Sequence, residues 1–172
     1  MSIILITGGC RSGKSSFAQK IAEQLHINRF YIATAEPLDE EMKTRIKHHQ
    51  KDRDETWTTV ETPILIAEDL DQNGCVVVDC LTLWITNLMM HSQDDLYIQQ
   101  SFEQLCSKLK TVDNDVILIT NEVGWGIVPL NAMSRSFRDH SGRLSQNIAK
   151  IADHVALCVA GIPLWIKGGF NV

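Results

Sequence analysis

Apolar residues in this chain follow two rhythms. Unbroken runs at Ile3-Ile4-Leu5-Ile6, Phe30-Tyr31-Ile32-Ala33, Cys75-Val76-Val77-Val78 and Val116-Ile117-Leu118-Ile119 read as strands, the first buried on both faces. Between them, apolar positions recur at helical spacing. Phe17, Ala18, Ile21, Ala22 and Leu25 predict a helix that packs on the sheet. A second helix is expected over 81–90, and a longer, more polar one over 93–112 with Leu96, Phe102, Leu105 and Leu109 inward. The stretch 132–152 reads as mainly helical, weakened at Gly142. Shorter features complete the pattern: an extended piece over 56–60 around Trp57, a short helix over 64–70 after Pro63, and an irregular loop at Gly124, Gly126 and Pro129. Closing strands are expected at 155–159 and 164–167, around Gly161-Ile162-Pro163. Strands alternating with helices predict an α/β fold, a mostly parallel sheet covered on both faces. No repeat, low-complexity tract or linker interrupts it, so residues 1–172 read as one domain.

One stretch breaks the alternation. Asp39 is a good N-cap with Glu40 and Glu41 in the first turn, but the helix it starts, to about Asp52, is only thinly apolar. Met42, Ile46 and His49 share a narrow stripe; Glu41, Thr44, Arg45, His48, Lys51 and Asp52 face the other way. Such a helix lies on the surface with its polar face free for other work. By phase, His49 faces the core and His48 faces the phosphates that the loop after the first strand is expected to hold.

The first strand leads into the chemistry. Gly8, Gly13, Lys14 and Ser15 satisfy G-x-x-x-x-G-K-[ST], with Gly9, Cys10, Arg11 and Ser12 between. Glycines let the backbone curl until successive N–H groups form an anion nest, and the next helix aims its N-terminus at the same hollow. Lys14 is placed for the terminal phosphates and Ser15 for Mg2+. A nucleoside triphosphate site is the expectation, and it needs a second carboxylate for the metal or its water shell. Asp79, at the end of the valine strand, suits that role, with Glu122 as the runner-up. His48 is the second candidate, because imidazole is nucleophilic near neutral pH and can carry a phosphoryl or nucleotidyl group. Arg45 and Lys51 flank it by one turn each, in reach of triphosphate oxygens. Arg135, Arg138, Asp139, His140 and Arg143 cluster further on, and either a substrate phosphate or subunit salt bridges would explain them. Trp84 and Trp125 suit a core or an interface better than a substrate platform. His26, His91 and His154 read as turn or surface residues.

Composition narrows the partners. Across 172 residues the net charge is -5, which argues against nucleic acid as a partner. Five scattered cysteines, without a C-x-x-C pair, suggest a reducing cytoplasm rather than a disulfide framework or zinc site. No apolar run approaches the ~20 residues of a membrane span. Met1-Ser2 runs straight into the first strand, so no signal peptide is expected.

Taken in order, these residues resemble the bifunctional adenosylcobinamide kinase / adenosylcobinamide-phosphate guanylyltransferase family of cobalamin biosynthesis. The likeness runs through Thr7-Gly-Gly-Cys-Arg-Ser-Gly-Lys-Ser15, Tyr31-Ile-Ala-Thr-Ala35, Glu41-Met42 with Arg45-Ile46-Lys47-His48-His49, and Trp57 with Glu61. It continues through Asp79-Cys80-Leu81-Thr82, Thr120-Asn-Glu-Val-Gly124 with Gly126-Ile-Val-Pro129, Arg138-Asp139 and Gly161-Ile-Pro163. Cys10 departs from the family's usual alanine, and both are small. The resemblance implies a RecA-like P-loop fold, a homotrimer, and two reactions: phosphorylation of adenosylcobinamide by ATP or GTP, then transfer of GMP from GTP to adenosylcobinamide phosphate through a guanylylated histidine, His48. It further implies nucleotide contacts at Gly8, Gly9, Cys10, Arg11, Ser12, Gly13, Lys14 and Ser15, at Ala33, Thr34 and Ala35, at His49, Gln50, Lys51 and Asp52, and at Glu61 and Asp79. Two other readings stand beside it: a monofunctional P-loop kinase of another small metabolite, and a RecA-like nucleotide-dependent binding module.

Overall fold

The computed structural model describes residues 1–37, 40, 43, 44 and 53–169. The helix expected from Asp39 therefore falls largely outside the described residues, with Glu41, Met42, Arg45, Ile46, Lys47, His48, His49, Gln50, Lys51 and Asp52. The strands are β1 (Ile3–Gly8), β2 (Arg29–Ala33), β3 (Trp57–Glu61), β4 (Cys75–Asp79), β5 (Val116–Ile119), β6 (His154–Val159) and β7 (Ile162–Lys167). Between them lie α1 (Lys14–Leu25), α2 (Leu81–His91), α3 (Asp95–Leu109) and α4 (Ala132–Ile151).

All seven strands join one sheet in the order β3-β2-β4-β5-β1-β6-β7. Every pairing is parallel except that of β6 with β7. The alternation of side chains across the pleat explains why the central strands are apolar throughout. Ile3 and Leu5 join Val76, Val78, Val116 and Leu118 in the core beneath α2, α3 and α4. Ile4 and Ile6 join Val77, Ile117 and Ile119 beneath α1, which contributes Ala18, Ile21 and Ala22. Trp84 fills the larger core and donates from Nε1 to the Ile64 carbonyl at 2.6 Å, as a buried indole must.

The structure differs from the sequence expectation at the edges of elements. No helix forms over 64–70: the segment makes isolated turns, with Glu68 N donating to Leu65 O and Asp69 N to Ile66 O. A piece this short does not sustain the cost of helix nucleation, and the Thr62 hydroxyl donates to the Asp69 side chain instead. The third helix starts at Asp95 because the Asp94 side chain caps Leu96 N at 2.9 Å. Its buried stripe is Ile98, Phe102, Leu105 and Leu109, and Leu96, out of phase with that stripe, is exposed. Gly142 does not interrupt α4, which runs unbroken for 20 residues. The last strand starts at Ile162, since the turn is only Ala160 and Gly161, both at positive φ (51° and 82°), as a two-residue hairpin requires.

Candidate functional site

The parallel register brings distant residues into one row. Ala33 on β2 is paired with Glu61 on β3 and with Asp79 on β4, and Asp79 with Ile119 on β5. All four sit at carboxyl ends of strands, where an open α/β sheet gathers its ligand. The phosphate loop leaves β1 beside this row, and a cavity of about 620 Å³ opens between them. Of the residues expected to contact nucleotide, Cys10, Arg11, Ser12, Gly13, Lys14, Ser15, Ala33, Ala35, Glu61 and Asp79 line it.

The loop owes its shape to two glycines. Gly8 has φ 152° and Gly13 φ 93°; a Cβ on Gly8 would meet the Cys158 carbonyl oxygen at 2.4 Å. Gly13 stands at the N-cap of α1, whose first turn holds neither a capping side chain nor a carboxylate. Its open N–H groups suit an anion. Lys14 Nζ donates to the Gly9 carbonyl at 2.5 Å and lies 3.4 Å from Ser12 Oγ. Burial holds the Lys14 ammonium below its ordinary pKa, against the opposing pull of Asp79.

Asp79 is the hub. Its Oδ2 accepts from the Ser15 hydroxyl at 2.7 Å and from the Tyr31 hydroxyl at 2.8 Å. Burial, then Asp79, pushes the Tyr31 phenol well up, so it stays a donor. Ser15 and Asp79 thus converge as a hydroxyl and a carboxylate, hard oxygen donors of the kind Mg2+ accepts alongside phosphate oxygens and waters. Among the described residues no group of three His, Cys, Asp or Glu side chains is placed to hold a metal ion by itself. Glu122 is used differently. Its Oε1 accepts from Thr7 Oγ1 at 2.5 Å while its N–H donates to the Gly8 carbonyl, so it braces the loop from β5.

Thr34 is wholly buried, and its hydroxyl is engaged with the Cys80 backbone, donating to O at 2.9 Å and accepting from N at 2.8 Å. It positions the end of β4. The Cys80 thiol lines the cavity but is pushed up to about 11, by burial first and Asp79 second, and is no nucleophile near neutral pH. Arg45, His48, His49, Gln50, Lys51 and Asp52 lie outside the described residues.

Sequence reasoning missed Arg53. Its guanidinium carbon lies 3.7 Å from the centroid of the Tyr31 ring, in the cavity wall. Nη2 donates to Thr59 Oγ1 at 3.4 Å, whereas Nη1 is buried with no hydrogen-bond partner among the described residues. A buried cationic donor without an acceptor, in a phosphate-binding cavity, suits an anion. Its signal in the sequence was slight, a lone arginine one residue past the expected helix. Asn121 and Thr82 were missed too; they line the same wall and bond to each other at 2.8 Å. The basic cluster after the Gly-Trp-Gly loop separates. His140 is buried against Asp95 at 3.3 Å and edge-on to Phe102, while Arg138, Asp139 and Arg143 remain at the surface of α4.

Comparison with known proteins agrees with this geometry. Residues 4–166 match the family model described as cobinamide kinase / cobinamide phosphate guanyltransferase. The chain is 40% identical over 168 residues to the bifunctional adenosylcobalamin biosynthesis protein CobP of Pseudomonas aeruginosa, covering 95% of this chain and 96% of that one. It is 40% identical over 182 residues to the bifunctional adenosylcobalamin biosynthesis protein CobU of Escherichia coli K12, with 96% and 99% covered. Among solved structures it is similar to the type III secretion ATPase EscN of enteropathogenic E. coli, with TM-score 0.56, 13% identity, and 92% of this chain but 43% of that one covered. At that identity the likeness shows the fold alone, that of P-loop NTPases.

Proposed function

The chain belongs to the cobinamide kinase / cobinamide phosphate guanyltransferase family, and from that premise we infer that the phosphate-loop cavity serves both of the family's reactions. It is a bifunctional enzyme of adenosylcobalamin biosynthesis. One reaction moves the γ-phosphoryl group of ATP or GTP to the hydroxyl of adenosylcobinamide. The other moves GMP from GTP to adenosylcobinamide phosphate, releasing pyrophosphate and giving adenosylcobinamide-GDP. The observation that carries this reading is the convergence of Lys14, Ser15, Asp79 and Arg53 on one cavity at the carboxyl edge of the sheet.

The cradle and Lys14 hold the terminal phosphates, orient the nucleotide and offset charge as the leaving group departs. Ser15 and Asp79 would hold Mg2+, which when bound supplies Lewis-acid charge stabilisation. Tyr31 keeps Asp79 aimed at that position, and Arg53 offers its fork to phosphate oxygens. His48 is the nucleophile of the second reaction, from the family resemblance and its phase on the expected helix. The imidazole nitrogen bonds to the α-phosphorus as the bond to the β-phosphate breaks. An oxygen of the acceptor phosphate then replaces the imidazole. Two phosphate dianions repel, and a neutral imidazole avoids part of that repulsion in the first step.

The working unit is one P-loop nucleotide-binding domain over 1–172, a reading supported by the single sheet that holds every described strand. A homotrimer is implied by the resemblance, and the exposed apolar run of Trp125, Ile127, Val128, Leu130 and Met133 suits contact between copies. Among the described residues no helix is long and apolar enough to cross a membrane. The five free cysteines suit a cytoplasmic setting. The deciding experiment incubates the protein with adenosylcobinamide, ATP, GTP and Mg2+. Mass spectrometry should find adenosylcobinamide phosphate and then adenosylcobinamide-GDP; absence of the second product leaves a kinase only.

A further inference from the structure

A second, shallow and open hollow of about 360 Å³ lies at the surface between the loop after β5 and the exposed face of α4, lined by Gly124, Arg138, Asp139, Gly142, Arg143 and Gln146. Residues 121–124 join the two cavities. Asn121 lines the first and Gly124 the second, while Glu122 between them is bonded to Thr7 and Gly8 of the phosphate loop. Two peptide units separate Glu122 from Gly124, so their Cα atoms are at most about 7.6 Å apart. The second cavity therefore opens within a short reach of the phosphate loop.

Its lining carries two arginines that no close contact among the described residues neutralises. Neither Arg138 nor Arg143 has a carboxylate within ion-pair distance among the described residues, and Arg138 has only the Gly126 carbonyl, 3.5 Å from Nη1. Gly142 stands mid-helix, where glycine costs roughly 1 kcal/mol relative to alanine. A Cβ there, or on Gly124 or Gly126, would meet nothing within 4 Å, and none of the three has a φ in the left-handed range. Conformation and packing leave these glycines unexplained, and the space they keep open lies beside two arginines without carboxylate partners. Asp139 shares the rim and offsets one of the two positive charges, leaving the lining net positive.

On the proposed two-step function, we propose that this cleft binds the phosphate monoester of the acceptor and holds it ready to attack the guanylylated enzyme. Arg138 and Arg143 supply the charge-assisted donors, and Gly142, with no side chain, leaves room beside them for the phosphate. An acceptor that still carries a free hydroxyl gains nothing from the cleft, so the site distinguishes the second acceptor from the first.

The test uses the full-length protein carrying Arg143→Ala or Gly142→Leu; the second fills the cleft with a good helix former and guards against misfolding. Both should raise the KM for adenosylcobinamide phosphate about tenfold or more, the loss expected for a charged hydrogen bond. The KM for adenosylcobinamide in the kinase step should stay within about twofold. Equal rises for both acceptors, or an unchanged KM for the phosphorylated one, would overturn the proposal. So would dissociation of the oligomer in sedimentation, which would make these arginines subunit contacts. Calorimetric binding of adenosylcobinamide phosphate and of adenosylcobinamide to the wild type and both variants decides the cleft's role even if the wild-type protein transfers no GMP: weaker binding of the phosphorylated ligand alone supports it, and unchanged binding overturns it. That failure would count against the two-step function and not against the cleft.

Discussion

The Ser15 hydroxyl donates to Asp79 Oδ2 at 2.7 Å, joining the phosphate loop to the end of β4 across 64 positions of sequence. A third group, the Tyr31 hydroxyl, reaches the same oxygen at 2.8 Å. On the proposed function, this contact would set the metal side of both reactions, because each expels a phosphate-bearing leaving group.

Asp79→Asn keeps the shape and removes the charge. Turnover in both reactions should fall about 100-fold or more, as when a preorganised transition-state contact is lost. Tyr31→Phe removes one aiming bond and should cost about three- to tenfold. Steady-state kinetics at saturating Mg2+ checks both; a loss confined to one reaction would show that the two do not share this carboxylate.

Arg53 separates binding from stability. Removing a half-exposed guanidinium whose buried Nη1 has no partner among the described residues should leave thermal stability unchanged or slightly raised. Affinity for GTP should nevertheless drop about ten- to hundredfold in Arg53→Ala, the range of a charge-assisted hydrogen bond. Arg53→Lys should recover little, since lysine has neither the fork nor the flat face that lies over Tyr31. Calorimetric titration with GTP beside a melting curve reads both; a stability loss with unchanged affinity would make Arg53 structural.

Burial lowers the Lys14 pKa, and a bound triphosphate, by favouring the charged form, raises it again. Nucleotide binding therefore takes up a proton between those two values, and affinity falls as pH rises through the free protein's lowered one, starting below 10.5. The sign for folding is opposite. The penalty for burying the ammonium is full at low pH and fades as pH rises toward 10.5, so weaker binding there is not unfolding. ATP, whose base does not titrate in this window, is the probe. Titrations from pH 8 to 10 in buffers of different ionisation heat should show proton uptake in the wild type and none in Lys14→Arg.

Much of this was legible before any coordinates, for a physical reason. Fully apolar strands announce a sheet buried on both faces, and a parallel sheet brings its carboxyl ends to one edge. Asp79, Ala33 and Glu61 therefore fall in one row once the strand order is known. What could not be read was anything set by cross-chain packing. Thr34 lies in the expected nucleotide stretch, yet its hydroxyl is committed to Cys80. Arg53 has no local pattern, because its role depends on the Tyr31 ring arriving from another strand. The brace between Glu122 and Thr7 spans 115 positions and leaves no trace in spacing.

Gly8 tests the cradle itself. A Cβ there meets the Cys158 carbonyl oxygen at 2.4 Å and Ser12 Oγ at 2.7 Å, at a φ of 152°. Gly8→Ala should lower stability by roughly 2–3 kcal/mol. Gly9, whose Cβ would meet nothing within 4 Å, should tolerate alanine within about 0.5 kcal/mol. Thermal unfolding of the two variants side by side gives the answer, and equal shifts would mean that the loop is free to give way.

On the proposed function, the transferase half of the activity turns on His48, which the phase of the expected helix sets apart from its neighbour His49. A nucleophilic His48 predicts that radiolabelled GTP leaves a GMP adduct on the wild-type protein, labile in acid and stable in alkali, as a phosphoramidate is. His48→Ala should abolish both the adduct and GMP transfer while leaving phosphorylation of adenosylcobinamide in place, because Lys14, Ser15 and Asp79 are untouched. His49→Ala, on the inward stripe with Met42 and Ile46, should weaken transfer less, through the seating of the helix. Equal labelling of the His48→Ala protein would move the nucleophile elsewhere. Loss of both activities together would show that the helix is needed to hold nucleotide, and not only to carry GMP.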